Sequence, residues 1–134
     1  MRKIRGKSVL IVDDDTGMLR ALDKVLTSEG AVVTCADCAG DAMLILSGRR
    51  KMIDLVITDL RMPFVNGMTV IYAIREVFPT MPVIVLTAFG SPDVKTECLL
   101  QGAAAVLEKP LDTSQLLTAI EGAIASENRG GAPP

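Results

Sequence analysis

Residues 8–17 read "SVLIVDDDTG". Four aliphatic residues, Val9 to Val12, run directly into three carboxylates, Asp13, Asp14 and Asp15. A short, unbroken apolar run is the pattern of a strand covered on both faces. Three like charges at its end repel one another, so something positive is expected beside them.

Working outward, the same alternation continues. Thr16–Ser28 carries apolar residues at 18, 19, 22, 25 and 26, which is helical spacing, and Gly30 stops it. Ala31–Cys35 reads as a second, weaker strand, and Ala39–Leu46 as a helix ended by Gly48. Ile53–Thr58 is an apolar strand bounded by Asp54 and Asp59, and Gly67–Val77 is a helix closed by Phe78-Pro79. Pro82–Thr87 is apolar and strand-like. Ser91-Pro92-Asp93 opens a helix that runs to Gly102. Ala104–Leu107 is a short strand, and Asp112 and Gln115 stand at capping-box spacing before a last helix to Ala125.

This order, (βα)5, predicts an α/β sandwich: a parallel sheet, right-handed crossovers and helices on both faces. Residues 1–126 form one domain, and 127–134, without apolar content, is expected to be a disordered tail or the start of a linker. Composition agrees. Hydrophobic residues reach 49% with only 3% aromatic, so the core is aliphatic. The net charge of −2 gives no general attraction to nucleic acid or membrane, and the basic Arg2, Lys3, Arg5 and Lys7 read as a solvated lead-in. No apolar run approaches the ~18 residues of a membrane span, and no signal-peptide core is visible. The chain therefore reads as cytoplasmic, and its three cysteines as reduced thiols. The absence of histidine excludes Ser-His-Asp and Cys-His catalysis, histidine metal sites and a phosphohistidine on this chain.

Ligands of such sheets bind at the carboxyl ends of strands. There the sequence sets Asp13 and Asp14 (strand 1), Asp59 (strand 3), Thr87 (strand 4) and Lys109 (strand 5). Grouped carboxylates suit a hard divalent cation, with Mg²⁺ as the first choice and Mn²⁺ as the alternative. Together with a lysine and a hydroxyl, this is equipment for phosphoryl transfer to a carboxylate.

"LIVDDD", "DLRMPFVNG", "VIVLTA" and "EKP", in this order and spacing, resemble the response-regulator receiver domains of two-component signalling, over about residues 6–125. The resemblance implies a flavodoxin-like sheet of order 2-1-3-4-5. It makes Asp59 the phosphoacceptor. Asp14 would bind the cation directly, Asp13 through water, and Asp59 with the backbone carbonyl of Arg61 would complete the set. Lys109 would hold Asp59 and then its phosphoryl group, and Thr87 would be the switch hydroxyl. Ala88 is small beside the phosphoryl pocket, and Arg61 and Phe89 would flank it and slow hydrolysis; the plainer alternative is two exposed loop side chains. Lys109-Pro110 matches a cis peptide. Val106 departs from the pattern, because the family often carries Tyr or Phe there to follow the threonine inward.

The resemblance further implies a sensor histidine kinase or histidine phosphotransfer protein as donor, docked in part by helix 1. It implies output through strands and helices 4 and 5 to an effector domain or protein, and it allows a phosphorylation-dependent homodimer. It implies no direct nucleic-acid or membrane binding, and no catalysis beyond the domain's own phosphorylation and dephosphorylation. Three features compete. "CADC", Cys35 to Cys38, has C-x-x-C spacing but lacks a redox site's usual inner residues and a second pair for zinc. "DDDTG" resembles the motif of haloacid-dehalogenase-type phosphatases, with Asp13 as nucleophile and Asp15 as acid/base. Gly17 is wrong for that motif, and Asp59 would go unexplained. A third reading is a non-phosphorylated pseudo-receiver, a binding module only.

Overall fold

Ten elements alternate along the computed structural model, which describes residues 3–49, 53–60, 67–88 and 92–130. They are β1 Ser8–Val12, α1 Thr16–Ser28, β2 Val32–Ala36, α2 Ala39–Arg49, β3 Leu55–Asp59, α3 Gly67–Val77, β4 Val83–Thr87, α4 Pro92–Leu100, β5 Ala105–Glu108 and α5 Thr113–Gly130. The five strands pair in parallel in the order β2-β1-β3-β4-β5.

Side chains alternate across a strand, so each central strand feeds two apolar layers. Leu10, Val12, Val56, Val83 and Val85 meet Ala42 and Leu46 of α2, Val70, Ile71 and Ile74 of α3, and Cys98 of α4. Val9, Ile11, Leu55, Ile57, Ile84 and Leu86 face the other way, onto Leu19, Leu22 and Leu26 of α1 and Leu116, Leu117 and Ile120 of α5. This two-sided burial explains why β1, β3 and β4 read as continuous apolar runs rather than alternating ones.

Helix ends are fixed by local chemistry. The Asp15 carboxylate accepts from the amides of Gly17 and Met18, at 2.9 and 3.2 Å, and caps α1. Asp112 accepts from the Gln115 amide at 3.1 Å before α5. Two helices close in the same manner. At the end of α4, Gly102 N–H donates to Leu99 O and Ala103 N–H to Cys98 O, with Gly102 at φ 106°. Gly30 at φ 93° does the same for α1, with Ala31 donating to Leu26 O. Both are Schellman closures, which need the left-handed backbone that glycine alone adopts cheaply.

The boundaries differ from the sequence reading where this chemistry intervenes. Ala31 is used in closing α1, so β2 starts at Val32 and ends at Ala36. Gly48 does not stop α2, because one exposed glycine weakens a helix without breaking it. α5 continues to Gly130, so the 126/127 boundary falls inside the helix. No proline or glycine interrupts residues 123–129, and polar residues of fair helix propensity extend a helix already anchored by packing. The basic N-terminal stretch is not wholly solvated. Ile4 is fully buried in the α1–α5 layer, while Lys3 and Arg5 remain exposed. The Ser91 cap lies outside the described residues.

Candidate functional site

Parallel pairing brings the carboxyl ends of all five strands to one edge. Asp13 leaves β1 with its N–H still donating to Ala36 O of β2, at 3.1 Å. Its side chain is almost wholly buried, at 1% exposure, and one oxygen accepts from the Asp15 amide at 3.0 Å. Asp59 ends β3 and is buried beside it. Asp14 stands exposed at the rim. Oxygens of Asp13, Asp14 and Asp59 all lie within 4.8 Å of one another.

Lys109 follows β5, and its peptide bond to Pro110 is cis. Its ammonium reaches Asp13 Oδ2 at 3.2 Å and Asp59 Oδ1 at 3.3 Å. Its own N–H donates to Thr87 O at 2.8 Å. Thr87 is fully buried at the end of β4, and Ala88 after it is exposed. Val106 sits half-buried on β5 against the α2–α3–α4 layer. Arg61 and Phe89 lie outside the described residues.

The electrostatics are unbalanced. Burial raises the Asp13 pKa, and the neighbouring charge of Asp59 adds to it; the Asp15 amide and Lys109 oppose both without cancelling them. For Lys109, burial works against the charged form, but the charges and hydrogen bonds of Asp13 and Asp59 outweigh it and the pKa rises. Among the described residues, one ammonium thus meets two of three grouped carboxylates. An all-oxygen donor set with surplus negative charge fits a hard divalent cation.

Asp15 takes no part in this cluster. Its carboxylate is turned to the α1 amides, so the phosphatase reading loses the acid/base it needs beside Asp13. Cys35 and Cys38 are exposed and free. Partial burial and the charge of Asp23 push the Cys35 thiol up, opposite to a reactive thiolate. Cys38 accepts weakly from the Asp41 amide at 3.4 Å at the start of α2. Two features escaped the sequence reading. The fully buried Thr58 hydroxyl bonds Asp59 O at 3.1 Å. Lys95 of α4 pairs with Glu108 of β5 at 2.7 Å. Nothing in the local sequence pattern signals the second.

The family model of the response regulator receiver domain matches residues 9–121. The chain belongs to this family. As a receiver domain it is part of two-component signalling. It is 42% identical over 116 residues to the transcriptional regulatory protein GlrR of Escherichia coli strain K12, covering 87% of this chain and 26% of that protein. The chain thus spans about a quarter of the length of that curated relative. It superimposes on a receiver domain from Clostridium thermocellum with TM-score 0.88 and 31% identity, covering 92% of this chain and 98% of that one. A beryllofluoride-activated NtrC4 receiver domain dimer gives TM-score 0.82 at 29% identity, covering 90% and 98%. The sheet order and five helices are those of the receiver fold. Among the described residues no helix is long and apolar enough to cross a membrane.

Proposed function

We propose that this receiver domain takes a phosphoryl group onto Asp59 from a phosphohistidine on a partner kinase or phosphotransfer protein. The observation that carries the reading is the buried Asp59 carboxylate, clustered with Asp13 and Asp14 and held by Lys109. Asp13, Asp14 and Asp59 would hold Mg²⁺, or Mn²⁺ in its place, with the Arg61 carbonyl as a further ligand. The cation would supply neutralisation of charge on the transferring group.

An Asp59 oxygen forms the new O–P bond. The P–N bond of the donor breaks, and its electron pair leaves on the imidazole nitrogen, which takes up a proton. Lys109 orients Asp59 before transfer and pairs with the phosphoryl oxygens afterwards. Thr87, whose carbonyl already accepts from Lys109, turns its hydroxyl to the phosphoryl group. Ala88 leaves room for that group, and Arg61 and Phe89 shield it from water. The change passes to the β4-α4-β5-α5 face with Val106 in place of an aromatic follower.

A depression beside α1 supports docking of the donor there. Met18, Ala21, Leu22 and Val25 of α1, with Leu111 and Leu116, line an apolar depression of about 230 Å³. Relatives named as transcriptional regulatory proteins support an output in transcriptional control through a longer chain, and the NtrC4 dimer supports pairing of two phosphorylated copies.

The test is incubation with acetyl phosphate and Mg²⁺, followed by intact-mass measurement. Wild type should gain one phosphoryl group, and Asp59→Asn none. Uptake by Asp59→Asn but not by Asp13→Asn would overturn the assignment, and no uptake by wild type would leave a pseudo-receiver.

A further inference from the structure

Among the described residues, α4 buries the fewest side chains of the five helices. Of its nine residues only Cys98 is buried, with its sulfur 3.9 Å from that of Met68 on α3. Val94 is half-buried, while Leu99 and Leu100 stand 52% and 76% exposed. Its partner β5 is a four-residue edge strand with no fully buried side chain. On the face of β5 that turns to α4, Val106 supplies a small apolar contact and Glu108 a charge. The Lys95 ammonium meets Glu108 at 2.7 Å, with side chains 41% and 50% exposed.

Glu108 is also tied to the site. It is the register partner of Thr87 across β4 and β5. It precedes Lys109, whose N–H binds Thr87 O and whose ammonium holds Asp13 and Asp59. A backbone shift of Lys109 therefore reaches Glu108 through one peptide unit, and one of Thr87 reaches it through the Lys109 N–H bond. An open groove of about 690 Å³, with Lys95, Val106, Glu108 and Ser114 on its walls, leaves these side chains room to rearrange.

We propose that the Lys95–Glu108 ion pair is a latch that holds α4 on β5 in the unphosphorylated domain and opens when Asp59 is phosphorylated. The proposal rests on Asp59 as phosphoacceptor. A contact present in one state alone biases the equilibrium between the two by its own free energy. With a small Val106 beneath it, the charge pair adds a polar tie to the apolar contact between helix and strand. An exposed pair is weak, so its removal should favour the active state by about two- to fivefold.

Lys95→Gln, Glu108→Gln and the exchange Lys95→Glu/Glu108→Lys separate the pair from its members. Beryllofluoride affinity in the presence of Mg²⁺ is read by calorimetry, and amide hydrogen exchange of α4 by mass spectrometry without ligand. Each single variant should bind beryllofluoride two- to fivefold more tightly and exchange α4 amides faster, and the exchange variant should return toward wild type. The difference should shrink at high salt. Unchanged or weaker binding by both single variants, or an exchange variant that behaves like them, would overturn the latch while wild-type binding upholds Asp59. Wild type that neither binds beryllofluoride nor takes a phosphoryl group would overturn both.

Discussion

Lys109 Nζ lies 3.3 Å from Asp59 Oδ1, so the residue that would accept phosphate is held by a group two strands further along the chain. The same ammonium holds Asp13 at 3.2 Å. Its removal should not unfold the domain, since the Lys109 side chain contributes no apolar core. Hydrogen bonds to charged groups are worth about 1.5–3 kcal/mol each. Lys109→Ala should therefore slow phosphoryl uptake from acetyl phosphate by about tenfold or more, measured by intact mass over time, with the circular dichroism unchanged. Uptake at the wild-type rate would remove Lys109 from the chemistry.

Surplus negative charge makes the metal-free site a source of instability. Cation binding to the native state alone stabilises by about 2.7 kcal/mol at a hundredfold excess over Kd, or roughly 10 °C in Tm for a domain of this size. Mg²⁺ should produce such a rise, and EDTA should reverse it. Asp13→Asn should melt higher than wild type without metal and gain less from Mg²⁺. Equal melting of wild type with and without Mg²⁺ would argue against a cation site.

The raised Asp13 pKa gives this instability a definite pH dependence. The native protein holds a proton on Asp13 above its usual value of 3.8, where the unfolded chain has released it. Stability then falls as pH rises, from 3.8 up to the native pKa. The Tm of metal-free wild type should drop relative to Asp13→Asn across that window and stay level above it. Lys109 acts with the same sign at the alkaline end. Its stabilising contribution is complete below 10.5 and is lost as pH rises through its higher native value.

Gly102 stands at φ 106°, with Arg75 Nε 2.9 Å from where a Cβ would lie. The arginine end can move, but the backbone strain cannot be relieved without opening the turn. Gly102→Ala should cost about 1–2 kcal/mol, measured by urea unfolding, whereas Gly40→Ala, in open space on α2, should not destabilise.

Local signals in the sequence identify most of this molecule. β1, α1 and α3 have the limits that periodicity and stop residues predict, because their apolar spacing is unbroken and their ends carry Asp15, Gly30 and Phe78-Pro79. The residues of the carboxyl edge are legible too, since alternation alone puts strand ends together. Contacts between elements are not legible. Nothing in the local pattern announces that Ile4 fills the α1–α5 layer, or that Glu108 pairs with Lys95 rather than with solvent. Asp13, Asp14 and Asp15 look alike in sequence; only the turn after β1, with Asp13 inward and Asp15 bent to the α1 amides, separates them.

Ninety-six positions separate Asp13 from Lys109. The two meet only through β3 and β4, which lie between their strands. Such non-local closure comes at a cost in chain entropy that delays it during folding. A cation that recognises the finished edge finds little to bind in the folding transition state. Mg²⁺ should therefore act on lifetime rather than on the rate of assembly: it should lengthen the time the domain stays folded while leaving refolding almost as fast as before.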